Sequence, residues 1–155
     1  MSSERIDNRA KFIVGGFGII FDETGRVLLV HRTDYDLWNL PGGCIESGEA
    51  PWEGVKREIK EETGFEAEVI KIVGVSSKSD KDDIVFTFLC KIIGGQATLS
   101  RESDRIEYFE IDKIPKNTVI KQVERIKDVI NNPDKIILKV QTGKTSIELI
   151  KEGKL

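Results

Sequence analysis

Apolar and polar positions along the chain repeat with two different periods. Phe12 to Phe21 is a run rich in Ile, Val, Phe and Gly, and Val27 to His31 is a second apolar run beyond the turn signal Asp22-Glu-Thr-Gly25. Such runs, split by turn residues, predict two strands joined as a hairpin. Trp38 to Gly43 carries too much proline and glycine for a helix and predicts a short strand entering a tight loop. The period then changes, because Trp52, Val55, Ile59 and Thr63 recur every three or four residues and mark the apolar face of a helix over Pro51 to Thr63. Ser47 or Glu49 is placed to cap it, Pro51 suits its first turn, and Gly64 suits its stop.

Val69 to Val75, Ile84 to Ile93 and Ile106 to Ile111 return to strand character, while Val119, Val123, Ile126 and Ile130 mark a second amphipathic helix that ends before Pro133. Lys135 to Val140 and Ser146 to Ile150 flank Gly143 and read as a C-terminal β-hairpin at about 135–150. Strands on both sides of a central helix, with a late helix after them, imply a mixed sheet covered by helices. Pattern alone leaves α/β and α+β open.

Composition narrows the class. With 155 residues, 39% of them hydrophobic and 33% charged, the chain fits a single domain over 1–155 that can bury its own core. The formal net charge is -3, with 24 Lys and Arg against 27 Asp and Glu, so no cationic excess is available to grip extended nucleic acid. Cys44 and Cys90 are too few for a disulfide framework or a zinc cluster, and reduced thiols fit a cytoplasmic protein. The polar segment Met1 to Lys11 lacks a signal-peptide core, and no apolar run reaches membrane-spanning length. A homodimer is left open.

The chemistry gathers in the helix after the glycine loop. At 100° per residue, Glu58, Glu61 and Glu62 fall close together beside the apolar face of Val55 and Ile59. Like charges three and four apart destabilise a helix by some tenths of a kcal/mol per pair. A solvated face balanced by Lys56, Arg57 and Lys60 is the ordinary explanation of such a run. The alternative is a set of oxygen ligands for a hard cation, Mg²⁺ or Mn²⁺.

The flanking residues separate the two. Gly43, Glu49, Arg57, Glu58, Ile59, Glu61, Glu62, Gly64 and Phe65 fill the spacing Gly, five residues, Glu, seven residues, Arg-Glu-aliphatic-X-Glu-Glu-X-Gly-aliphatic. This resembles the signature box of the Nudix hydrolases, with Phe65 the one mild departure. The resemblance implies an α/β/α sandwich with a mixed β-sheet, and a hydrolase of the MutT-like kind that uses divalent metal to cleave a diphosphate linkage in a small nucleotide-like substrate. It also implies that Gly43 lends a backbone oxygen near the metals, that Glu58 and Glu62 are the principal ligands with Glu61 in support, and that Arg57 and Glu49 form an orienting ion pair. The base in such enzymes is often a glutamate on a later loop; Glu102 matches that position, with Asp104, Glu107 and Glu61 as rivals.

Other motifs carry less. Gly143-Lys144-Thr145 lacks the earlier glycine of a P-loop, Gly16-Phe-Gly18 lacks the third glycine of a dinucleotide fingerprint, and His31 has no nucleophile motif around it. Phe17, Tyr35 and Trp38 could stack on a base or simply pack. Val75 to Asp83 holds neither the proline that tends to mark ADP-ribose enzymes of the family nor the tyrosine of its dinucleoside polyphosphate enzymes, which points to a nucleoside di- or triphosphate derivative without naming it. A catalytically silent nucleotide-binding module of the same fold and an acidic interaction domain without ligand are the other readings.

Overall fold

A computed structural model describes residues 8–155, so the first seven residues of the polar leader lie outside the described region. Among the described residues eight strands form two sheets. The larger, in the order β4-β1-β6-β5-β8, combines β1 (Ile13–Ile20), β4 (Gly42–Cys44), β5 (Phe65–Lys78), β6 (Lys81–Gly95) and β8 (Ile137–Gln141). The smaller, β3-β2-β7, combines β2 (Val27–Arg32), β3 (Trp38–Asn39) and β7 (Ser103–Phe109). The larger sheet is mixed: β1 runs parallel to β6 and β8 parallel to β5, whereas β1–β4 and β5–β6 are antiparallel.

Two apolar clusters flank the sheets, which yields the sandwich. On one side α1 (Pro51–Thr63) sets Val55 and Ile59 against Ile20, Leu28, Ala67, Phe88 and Cys90. On the other, α2 (Ile120–Asn131) sets Ile126 among Ile19, Val27, Leu29, Trp38 and Val73. The approach of α1 to β1 is close because Gly16 has no side chain there; a Cβ at Gly16 would lie 2.7 Å from Val55 Cγ2.

Pro51 opens α1 and Gly64, in the left-handed conformation, closes it with an N–H donated to the Lys60 carbonyl. The cap at its start differs from the expected one. Ala50 is the N-cap and, with no polar side-chain atom, contributes no bond, while the Glu49 carboxylate is engaged by Arg57. Trp52, expected on the buried face, is 54% exposed.

Two strand pairings also differ from expectation. β1 and β2 share the single bridge Phe21–Val27 and otherwise belong to different sheets. Val27, Leu28 and Leu29 are all fully buried, so β2 is covered on both faces rather than one and sits between the two clusters. The terminal hairpin at 135–150 is likewise replaced. β8 adds to β5 in parallel, and Ser146–Lys151 forms a short helix, α3. Its start is fixed by a capping box: Thr145 Oγ1 accepts the Glu148 N–H at 3.1 Å and Glu148 Oε2 accepts the Thr145 N–H at 3.3 Å. No helix among the described residues is long and apolar enough to cross a membrane.

Candidate active site

The outer side of α1 carries two adjacent stripes of charge, each built from residues four apart. Glu58 and Glu62 form the first and Arg57 and Glu61 the second. Glu62 is buried, 7% exposed, and its Oε2 accepts the Gly42 N–H at 3.3 Å. Glu58 lies under the adjoining residue, where a Cβ on Gly43 would stand 2.8 Å from Glu58 Oε1, so only glycine lets the loop come this close to the carboxylate. Gly43 itself pairs with Gly16 across β4 and β1, which ties the loop backbone to the central sheet.

The Glu58 and Glu62 carboxylates touch through a hydrogen bond. Burial, that contact and the Glu58 charge push Glu62 up to about 9, with the Gly42 N–H opposing and the Glu102 charge reinforcing the shift. Two carboxylates can share such a bond only if a proton sits between them.

Arg57 gathers the opposite charge. Its Nη2 and Nε donate to the two oxygens of Glu49 at 2.7 and 3.0 Å, a bidentate fork. The remaining donors reach Glu58 Oε1 and Glu61 Oε2, both at 3.2 Å, and the Cys44 carbonyl at 3.3 Å. The Arg57 bonds, with the Glu46 N–H, hold Glu49 down at about 2. The expected Arg57–Glu49 pair is therefore present, and it bolts the glycine loop to the helix. Glu61 differs from expectation: its side chain is 60% exposed and faces Arg57 rather than the Glu58–Glu62 contact. Among the described residues no group of three or more His, Cys, Asp or Glu side chains is gathered to hold a metal ion.

Glu102 lies on the exposed loop that leads into β7, within electrostatic reach of Glu62. Ser103 fastens this loop to the helix by donating its hydroxyl to the Glu62 carbonyl at 2.7 Å, and the Thr33 N–H donates to the Glu102 carbonyl at 3.3 Å. The rivals are placed differently. Asp104 contacts His31 Nδ1 at 2.6 Å, while Asp36 holds the other ring nitrogen at 2.7 Å. Burial of His31 opposes its charge, but the two carboxylates prevail and raise its pKa. Glu107 is exposed, opposite Leu29 in the smaller sheet. Trp38 offers no stacking surface, being buried edge-on to His31 and Phe109 beneath the Arg105 guanidinium.

Sequence reasoning passed over Gly42 and Ser103, whose bonds set the position of Glu62. Gly42 adjoins the box, which is a signal of a kind; an isolated Ser103 has none.

Known proteins resemble this chain in sequence and in fold. Residues 12–129 match the model of the NUDIX domain. A "MutT-like protein" of Streptomyces ambofaciens is 33% identical over 114 residues, 74% of each chain. An "ADP-ribose pyrophosphatase" of Methanocaldococcus jannaschii is 35% identical over 104 residues, 63% of this chain and 62% of that one. Among solved structures, an ADP-ribose pyrophosphatase from Streptococcus suis superposes with a TM-score of 0.69 at 25% identity, covering 82% of this chain and 98% of that one. The chain belongs to the Nudix family and is a Nudix hydrolase.

Proposed function

We propose that this protein hydrolyses a diphosphate linkage in a nucleoside di- or triphosphate derivative, dividing an NDP-X into NMP and P-X with the help of Mg²⁺ or Mn²⁺. The observation that supports it most is the buried contact between Glu58 and Glu62 beneath the Gly42–Gly43 loop. A contact that needs a proton to persist is one where a divalent cation fits in the proton's place. Two carboxylates, completed by substrate phosphates, are an ordinary magnesium arrangement.

Glu58 and Glu62 would hold the metal, with the Gly43 backbone oxygen beside them. Bound there, the cation would neutralise phosphate charge and lower the pKa of a water molecule. Arg57 and Glu49 would keep the loop in register with the helix, and Glu61 would tune the Arg57 side of the cluster. Glu102 would accept a proton from the attacking water. The water oxygen bonds to one phosphorus, the bridging P–O bond breaks, and the bridging oxygen departs with the electron pair on the other phosphate. One water is consumed for each linkage cut. The single domain over 1–155 and a cytoplasmic setting belong to the same proposal.

A panel of ATP, dGTP, UDP-sugars and ADP-ribose, assayed with Mg²⁺ and Mn²⁺ for phosphate-containing products, tests the reading. Turnover of at least one compound is expected, lost in Glu58→Gln and Glu62→Gln and kept in a folded His31→Ala. Undiminished turnover in either glutamine variant would overturn it.

A further inference from the structure

We propose that the cleft between β1 and α2 binds a phosphate group of the substrate other than the two joined by the scissile bond. The inference rests on the pyrophosphohydrolase reading and names the class of substrate the site takes. The cleft encloses about 210 Å³, and four cations line it, Arg32, Lys78, Lys121 and Arg125, against the one acid Asp83. Arg32 is paired with Asp34 at 2.7 Å and Lys78 with Asp83 at 3.4 Å. Lys121 and Arg125 differ from both.

Those two residues lie four apart on α2, so they share a face, and among the described residues neither is in an ion pair. Lys121 is 8% exposed and donates only to the carbonyls of Thr142 and Gly143, at 3.2 and 3.0 Å. Arg125 donates only to the neutral Gln141 Oε1, at 3.0 and 2.9 Å, with the Phe17 ring 5.8 Å from its guanidinium. The nearby Glu124 is taken by Lys139 at 2.8 Å. A neutral amide would serve the two carbonyls as well as an ammonium does. Enclosing two like charges without a counter-ion is unfavourable, and an incoming anion relieves it.

The enclosure also acts on the groups themselves, since burial lowers the pKa of both Lys121 and Arg125. Gln141 holds the pair in place: its Nε2 donates to the Lys121 carbonyl at 2.9 Å while its oxygen holds Arg125. Phe17 joins the cleft to the place of cutting, for it lines the cleft beside Arg32 and pairs across β1 and β4 with Gly42, whose N–H donates to Glu62 at 3.3 Å. A substrate with its diphosphate at the glutamates could therefore extend a further phosphate past Arg32 to Lys121 and Arg125. That phosphate has two sources, the third phosphate of a nucleoside triphosphate or a monoester on the linked group.

The test begins without metal, on the whole chain in EDTA, with inorganic phosphate titrated by calorimetry. Saturable binding is expected, weakened at least tenfold in Lys121→Gln and no weaker in Glu62→Gln. KM values for ATP, ADP-ribose and ADP-ribose carrying an extra phosphate monoester then assign the source. A tenfold rise in Lys121→Gln for ATP alone identifies the third phosphate, and a rise for the phosphorylated ADP-ribose alone identifies the monoester. Equal phosphate binding in parent and Lys121→Gln, or no phosphate binding by the parent, overturns the proposal. If Lys121→Gln does not fold, Arg125→Gln takes its place; the same weakening is expected there, and undiminished binding in that variant overturns the proposal equally. Absence of all hydrolysis would count against the pyrophosphohydrolase reading alone, because the titration reads the cleft without it.

Discussion

Glu62→Gln should have opposite effects on the metal-free and the metal-loaded protein. In the metal-free state Glu62 is held protonated well above the ordinary carboxylate value of 4.5, up to about 9. A folded pKa above the unfolded one means that stability from this group is complete below about 4.5 and is lost as pH rises toward 9. The limiting slope is one proton, about 1.4 kcal/mol per pH unit. Between about pH 5.5 and 8.5 the metal-free parent should therefore lose stability from Glu62 as pH rises, with a slope no steeper than that limit. Glutamine keeps the size and the neutral state of the protonated acid, so Glu62→Gln should show little of this slope. Millimolar Mg²⁺ should flatten the parent's slope too, and stabilise it by RT ln(1 + [L]/Kd), while leaving Glu62→Gln unmoved. Urea unfolding at a series of pH values, with EDTA or Mg²⁺, measures all four curves. Parallel EDTA curves for parent and variant would refute the shared-proton account. An equal Mg²⁺ response in both would refute the assignment of Glu62 as a ligand.

Three further outcomes follow from particular contacts. Gly43→Ala places a methyl group 2.8 Å from Glu58 Oε1, so kcat should fall sharply while the melting temperature changes little; steady-state kinetics beside a thermal melt checks it. Glu102→Gln should lower kcat by a factor of about 10² to 10⁴, the usual range for a lost general base, with metal binding retained and partial rescue at high pH; a loss below about tenfold removes Glu102 from that role. Ile59→Ala, at a fully buried position against the sheet, should cost about 2–5 kcal/mol, measured by urea unfolding.

Much of the candidate site could be read from the chain because the proposed ligands lie within one helix and the loop before it. Spacing places Glu58 four residues before Glu62, and the resemblance to the Nudix box implies the Arg57–Glu49 pair. What spacing does not give is depth. Glu61 and Glu62 are identical neighbours, yet one is exposed and the other buried, because 100° of helix rotation turns Glu62 toward Gly42 and Ser103, both contributed by other segments. The β1–β2 hairpin failed for a related reason. β1 finds its parallel partner in β6, some seventy residues on, and no local turn signal records a long-range pairing. The α3 helix was within reach, as Thr145-x-x-Glu148 is a capping signature. Lys121 and Arg125 look like an ordinary solvated face until β8 and α3 close over them.

The two-sided sheet has a consequence for how such a protein can change over generations. The proposed cutting residues ride on α1 and the loops at its end, whereas Lys121 and Arg125, the unpaired cations of the cleft, belong to α2. The two helices rest on separate apolar clusters, so a substitution on one reaches the other through the sheet between them, where Phe17 and Arg32 line the cleft. Lineages could exchange the chemical preference of the cleft, one side chain at a time, while the machinery that breaks the bond is inherited intact. The sheet is in that sense a firewall between what is recognised and what is done to it.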